Sequence, residues 1–232
     1  RFSSEASPLK VVQSCAIGSP PYKNAQDGTQ RHGSGTMPSC AAREPLVMKL
    51  DTERFRLNRY NPETDLLEHQ AMYQSEAVRL PLGWIDPPDL GLMTRLYVDR
   101  AERWEAHTPG SGTFTIRWKD SGRLAGIILL KALPFGDDSF SEHIEIGWHL
   151  AEPDWGKGVA TEAASKVMAY GFEQLELPAV WAIATTDNYR SHRVMERIGL
   201  RFTEETDRYY GETGVLYGML REEYYSADSE PA

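Results

Sequence analysis

Cysteine is nearly absent from this chain. Two occur in 232 residues, Cys15 and Cys40, and both lie before residue 48. The remaining body therefore has no disulfide framework and no cysteine nucleophile. A cysteine-free body fits a reducing compartment, so a cytoplasmic location is expected. Long apolar runs are missing as well. The run that contains GIILL at 126–130 ends at Lys131, far short of the ~18 residues of a membrane span. No apolar signal-peptide core follows Arg1 or Lys10. Positive charge is in deficit: the net charge is −9 and the pI about 5.2. Such a chain repels phosphate backbones, so neither nucleic acid nor membrane is an expected partner. A cationic partner is mildly favoured. The histidines, including His143, His149 and His192, show no ligand spacing, and no metal is expected.

The composition that remains is that of a globular protein, with 41% hydrophobic and 25% charged residues. The charge is unevenly placed. Residues 1–47 carry a net +2 and the following 185 residues a net −11. The first part is rich in Gly, Ser and Pro and lacks apolar periodicity, so it cannot bury enough surface to offset its ordering entropy. Residues 1–48 are expected to be a disordered leader or extension, 49–224 a single domain, and 225–232 a short tail.

Periodicity within the body predicts a strand over 53–60, a helix from Asn61-Pro62 to about Gln74, and a second helix from Leu90 to about His107. A hairpin follows, Thr113–Trp118 and Leu124–Lys131, with Lys-Asp-Ser-Gly at its turn. Residues 142–150 alternate: Ile144, Ile146, Trp148 and Leu150 share one face, and Glu145, Gly147 and His149 the other. Ala160, Ala163, Ala164, Val167, Met168, Gly171, Phe172 and Leu175 form one helical stripe. A strand over 179–184, a helix over 188–198 and strands over 200–206 and 215–221 complete the order. This is α+β with a mixed sheet, and it lacks the βαβαβ run of a dinucleotide fold.

One segment carries chemistry. After the strand that ends at Leu150, Trp155-Gly156-Lys157-Gly158-Val159-Ala160-Thr161 opens a helix. Glycines there let a bound group approach the backbone. The free N–H groups of a first helical turn, with the helix dipole, favour an anion. Thr161 offers a hydroxyl and Lys157 a charge at the rim. The same residues also read as a glycine-rich helix cap without a ligand. Lys157 is followed by Gly158 rather than Ser or Thr, which excludes a P-loop.

The stretch resembles motif A, Q/R-x-x-G-x-G/A, of the GCN5-related N-acetyltransferase (GNAT) superfamily. Gly158 and Ala160 fill its last two positions, and Trp155 stands where Gln or Arg is usual. The form W-G-K-G-x-A-T-E-A resembles the branch with the ribosomal-protein N-terminal acetyltransferases (RimJ/RimL-like). TTDNYRSHRVMERIGLRF (185–202) is similar to that branch's N-x-x-S motif, and TERFRLNRY (52–60) to its opening.

The resemblance implies a GNAT fold: a mixed, mostly antiparallel sheet of six to seven strands, four flanking helices and a splayed strand pair. It implies acetyl-CoA as co-substrate. The pyrophosphate would lie on Trp155, Gly156, Lys157, Gly158, Val159, Ala160 and Thr161, and the pantetheine against the backbone of Trp148, His149 and Leu150. Asn188 matches the asparagine that contacts the pantetheine arm, and Ser191 a position near the sulfur. The family often has a glutamate at Glu145, making it the expected base and an acceptor contact, with His149 the second candidate. Relatives use a tyrosine to protonate the thiolate where this chain has Met195; Ser191, Tyr209 and Tyr210 are the substitutes. Trp84, Asp86 and Asp89, with Asp137 and Asp138, are expected to form an aromatic, acidic acceptor mouth. The acceptor would be a protein N-terminus or a small cationic amine, and a homodimer is left open. A CoA-binding module without turnover is the alternative function.

Overall fold

The computed structural model describes residues 49–227. The expected leader and both cysteines fall outside them. Strand β1 (Lys49–Asp51) pairs with β2 (Phe55–Arg59), which buries Phe55 and Leu57 in alternation. Helix α1 (Pro62–Met72) is started by Asn61, whose side chain accepts from the Glu63 amide at 3.0 Å, and by Pro62 in the first turn. A short helix α2 (Glu76–Arg79) follows. The predicted helix over 90–107 is broken. Asp89 caps α3 (Leu90–Thr94), a π-helical turn occupies Arg95–Asp99, and α4 (Ala101–His107) completes it. The wide turn shifts the helical phase, and Tyr97 and Leu96 within it are buried.

Strands β3 (Gly112–Trp118), β4 (Leu124–Pro134) and β5 (Phe140–Leu150) form a continuous antiparallel meander. Helix α5 (Val159–Glu173) crosses over to β6 (Ala179–Ala184), and α6 (Tyr189–Arg197) leads to β7 (Arg201–Thr206) and β8 (Gly214–Leu220). Helix α7 (Arg221–Ala227) spans the expected boundary at residue 224. The sheet order is β1-β2-β3-β4-β5-β6-β8-β7, with only the β5–β6 pair parallel. This is the expected α+β architecture with eight strands rather than six or seven. The additional strand, β1, is too short to show periodicity. The flanking helices also exceed the expected four, because the second predicted helix is interrupted and short helices occur at 76–79 and 221–227. No helix among the described residues is long and apolar enough to cross a membrane.

Both faces of β4 are covered, which explains its uninterrupted burial. Ile128 and Leu130 face α5, whose stripe of Ala163, Ala164, Val167 and Met168 packs on them and on Ile144 and Ile146. Ile127 and Leu129 face the other way, against Met72, Tyr73, Met93 and Tyr97. The small residues of α5 set it close to the sheet. Gly126 is equally constrained: a Cβ there would meet the His149 carbonyl oxygen at 2.3 Å. Gly126→Ala therefore forces β4 and β5 apart beside His149. The expected cost is about 1–3 kcal/mol, or about 3–10 °C in Tm. An unchanged Tm would show that this approach is not needed.

Candidate active site

Strand β5 is paired with β4 from Phe140 to Leu150, but with β6 only where Glu145 lies opposite Trp181. Beyond that point β5 and β6 part. Ile146–His149 on one side and Ile183–Thr185 on the other line a cleft of about 230 Å³. The β6-facing backbone groups of β5 have no strand partner there, so an extended ligand can take that role.

Past the end of β5, the chain turns tightly. The Trp155 indole donates to the Leu150 carbonyl at 3.0 Å. Gly156 and Gly158 take φ of 74° and 76°, where only glycine is at ease. Helix α5 then starts at Val159 with no side-chain cap, which leaves its first amides available. Three cations surround this start. Arg54 donates to the Lys157 carbonyl at 2.9 Å and pairs with Glu162 at 2.7 Å. Lys157 lies 3.5 Å from buried Asp154, and Arg190 stacks over the Trp155 ring at 4.7 Å. Asp154 itself is gripped by both Nη atoms of Arg123 at 2.7 Å. Burial opposes its ionisation, but the Arg123 hydrogen bonds and charge, with Trp118 and Lys157, hold its carboxyl below the ordinary range. The loop is thus braced by one ion pair beneath while its amides stay open.

At the bottom of the cleft, Glu145 is buried. Its Oε2 accepts from Lys131 Nζ at 2.7 Å and from the Tyr210 hydroxyl, and Lys131 also donates to that hydroxyl at 2.7 Å. Tyr210 sits at φ 58°, an uncommon backbone region for an aromatic residue. Its amide donates to the Pro134 carbonyl, and Tyr209 bridges Phe135. These contacts hold the turn against the cleft despite its strain.

His149 lines the same cleft and is partly exposed. Its Nδ1 is 2.7 Å from the Tyr73 hydroxyl, which lies 3.0 Å from the Tyr97 hydroxyl and 2.9 Å from His69 Nε2. His69 Nδ1 faces the Tyr60 hydroxyl at 3.3 Å. Desolvation, and secondarily the Lys131 charge, push His149 down to about 4. Burial, with His149 nearby, lowers His69 well below its ordinary value. Burial, then Asp65, raises the Tyr60 phenol. Both histidines are therefore neutral near pH 7, and the hydroxyl contacts orient the His149 ring.

The model of the acetyltransferase (GNAT) domain family matches residues 54–201. The chain belongs to the GNAT acetyltransferase family. It is 42% identical over 84 residues to YdaF of Bacillus subtilis, provisionally named a ribosomal N-acetyltransferase, covering 36% of this chain and 43% of that one. It is 30% identical over 126 residues to the FsC-acetyl coenzyme A-N(2)-transacetylase of Aspergillus fumigatus, covering 50% and 53%. The chain spans about half the length of the curated relatives it matches. Among solved structures, an acetyltransferase from Agrobacterium tumefaciens shares 27% identity at a TM-score of 0.61, covering 77% of this chain and 99% of that one.

In this GNAT fold, the cleft gathers Trp84, Asp138, Glu145, Trp148, His149, Asn188, Ser191, Tyr209 and Tyr210 from the residues expected at the site. Leu150 and the Trp155–Thr161 segment lie outside its lining, at the helix start just described. Asp86 is exposed and does not line the cleft. Asp89 caps α3, and Asp137 accepts from Ser139. Asn188 caps α6 through the Ser191 amide at 3.2 Å. Met195 is buried against the cleft. Periodicity did not reveal Lys131, Tyr73, His69 or Arg54. A lysine inside the apolar strand LLKALP was one available signal. The i, i+4 spacing of His69 and Tyr73 was another.

His69 and His149 are neutral when folded and gain protons on unfolding below their ordinary range. Folding stability therefore falls as pH drops from about 6.5 towards 4. Tm measured across that window should fall less steeply for His149→Gln than for the wild type. Equal slopes would mean that His149 is not held neutral.

Proposed function

We propose that the chain is an N-acetyltransferase that moves the acetyl group of acetyl-CoA directly to a primary amine. The observation that carries this reading is the parting of β5 and β6 beside an uncapped, glycine-led helix start, with a buried carboxylate in the fork. The backbone of Trp148–Leu150 would align the pantetheine arm, and the amides of Val159–Thr161 the pyrophosphate. The amine nitrogen attacks the thioester carbonyl. The C–N bond forms, the C–S bond breaks, and CoA leaves as thiolate. Backbone amides of the open β5 edge stabilise the oxyanion. An alkylamine is mostly protonated at neutral pH, so a base must take its proton. Glu145 is that base in this reading, through Oε1, because Oε2 is taken by Lys131 and Tyr210. Tyr210 and Ser191 are the donors nearest to hand for the thiolate, since Met195 has no proton to give.

The acceptor is a protein N-terminus or a small cationic amine. The YdaF name supports the first and the transacetylase name the second. The alternative, a CoA-binding module without turnover, draws on Met195. Acetyl-CoA at ~100-fold over its Kd should stabilise the fold by ~2.7 kcal/mol, about 5–10 °C in Tm. No shift would remove the co-substrate assignment. A shift with no free-thiol release across N-terminal peptides, polyamines and aminoglycosides would favour the binding module. Glu145→Gln should cut kcat/KM roughly 100-fold or more, with the largest loss at low pH. Because this change leaves Lys131 unpaired, the acetyl-CoA-dependent Tm shift serves as its folding control. An unchanged pH–rate profile would exclude Glu145 as the base.

A further inference from the structure

Five side chains of fixed charge line the cleft: Arg100, Lys131, Asp138, Glu145 and Glu212. Four of them are paired, and Arg103, outside the lining, also meets Asp138 at 3.2 Å. Arg100 meets Asp138 at 3.0 Å, and Lys131 meets Glu145 at 2.7 Å. Glu212 has no such partner among the described residues, and its Oε1 is buried without any hydrogen bond. A buried carboxylate oxygen left unpaired is costly, and native proteins seldom keep one without a reason.

The backbone that carries Glu212 is held in place. It follows Tyr210 and Gly211, both at positive φ, in the turn between β7 and β8. That turn is tied to the β4–β5 connection by the Phe135–Tyr209 bridge and by the Tyr210 amide on the Pro134 carbonyl. The Glu212 amide closes it on the Tyr209 carbonyl at 3.3 Å. Trp84, Trp104 and Tyr97 line the same cleft, so its walls are aromatic.

We propose that Glu212 receives the cationic group of the acceptor, so that the cleft selects an ammonium-bearing substrate. This rests on the acetyltransferase reading of the same cleft. Glu212 Oε1 is the one carboxylate oxygen of the cleft lining that is buried without a hydrogen bond among the described residues, and an ammonium would supply its donor. Burial holds the Glu212 carboxyl above its ordinary range, as expected of a site missing its counter-charge. Asp86, exposed outside the cleft, is not required for this role.

The test uses Glu212→Gln, which keeps shape and removes charge. Its Tm should equal or exceed that of the wild type, because the carboxylate whose Oε1 is buried without a donor is replaced by a neutral amide. Spermidine and a seryl tetrapeptide are the probes, titrated calorimetrically into the CoA-bound protein and assayed with acetyl-CoA for thiol release. For the tighter of the two, Glu212→Gln should raise Kd and KM at least about tenfold, with the acetyl-CoA KM within about twofold of wild type. Unchanged amine constants, an equal rise in the acetyl-CoA KM, or no wild-type binding of either probe would overturn the proposal. Probe binding weakened by Glu212→Gln but without wild-type thiol release would support Glu212 as the cation site and overturn the transferase reading instead.

Discussion

Strand β5 is hydrogen-bonded along its length to β4 and at a single position to β6. Everything functional depends on that asymmetry. The β4 side fixes β5 rigidly, down to the close approach of Gly126 to the His149 carbonyl. The β6 side is released after Glu145, so β5 runs on as an edge inside the sheet. Native sheets rarely leave an edge unpaired in the interior, because its amides and carbonyls would lose hydrogen bonds. The edge here opens on a cleft, where a ligand can complete the ladder. The parallel partner β6 is reached only by a crossover, and that crossover is α5. The unsatisfied helix start and the unsatisfied strand edge therefore lie next to one another as a consequence of chain connectivity.

Electrostatics divide the site in two. The body is strongly acidic, yet Arg54, Lys157 and Arg190 collect at the helix start, and the acids near them are engaged. Asp154 is bound by Arg123, and Glu162 by Arg54. At the other end of the cleft Lys131 pairs with Glu145 and Asp138 with both Arg100 and Arg103, while Glu212 Oε1 is buried without a hydrogen bond. Basic side chains thus gather at one end of the site and an unpartnered carboxylate oxygen at the other, in a protein of net negative charge. Between them, the hydrogen-bonded chain Tyr60–His69–Tyr73–His149 holds the cleft wall, its two histidines neutral.

Much of this was legible in the residues. The alternation at 142–150, the alanine-rich stripe of α5 and the glycine-led start at Gly156–Gly158 each have a local cause, and each stands where the sequence placed it. Strand β6 matched its predicted range, and α6 lay within one residue of its predicted ends. The interruption at Arg95–Asp99 was not legible, since a π-helical turn keeps helical composition while shifting phase. Nor was β1, whose three residues carry no period. The side-chain partners at the site were the least visible. Lys131 with Glu145, and Tyr73 with His149, are set by strand register and helix packing across long sequence separations. Asp86 looked like part of an acidic mouth because loops are read by composition. Its exposure, and the orphaned oxygen of Glu212, are properties of the folded turn alone.

In the proposed reading, the released edge of β5 and the first turn of α5 together hold the CoA moiety. Amide hydrogen exchange with and without coenzyme A tests it most directly. The account predicts new protection at Trp148–Leu150 and Val159–Thr161, with the β3–β4 meander unchanged. Protection confined to other segments, or none at saturating coenzyme A, would contradict it.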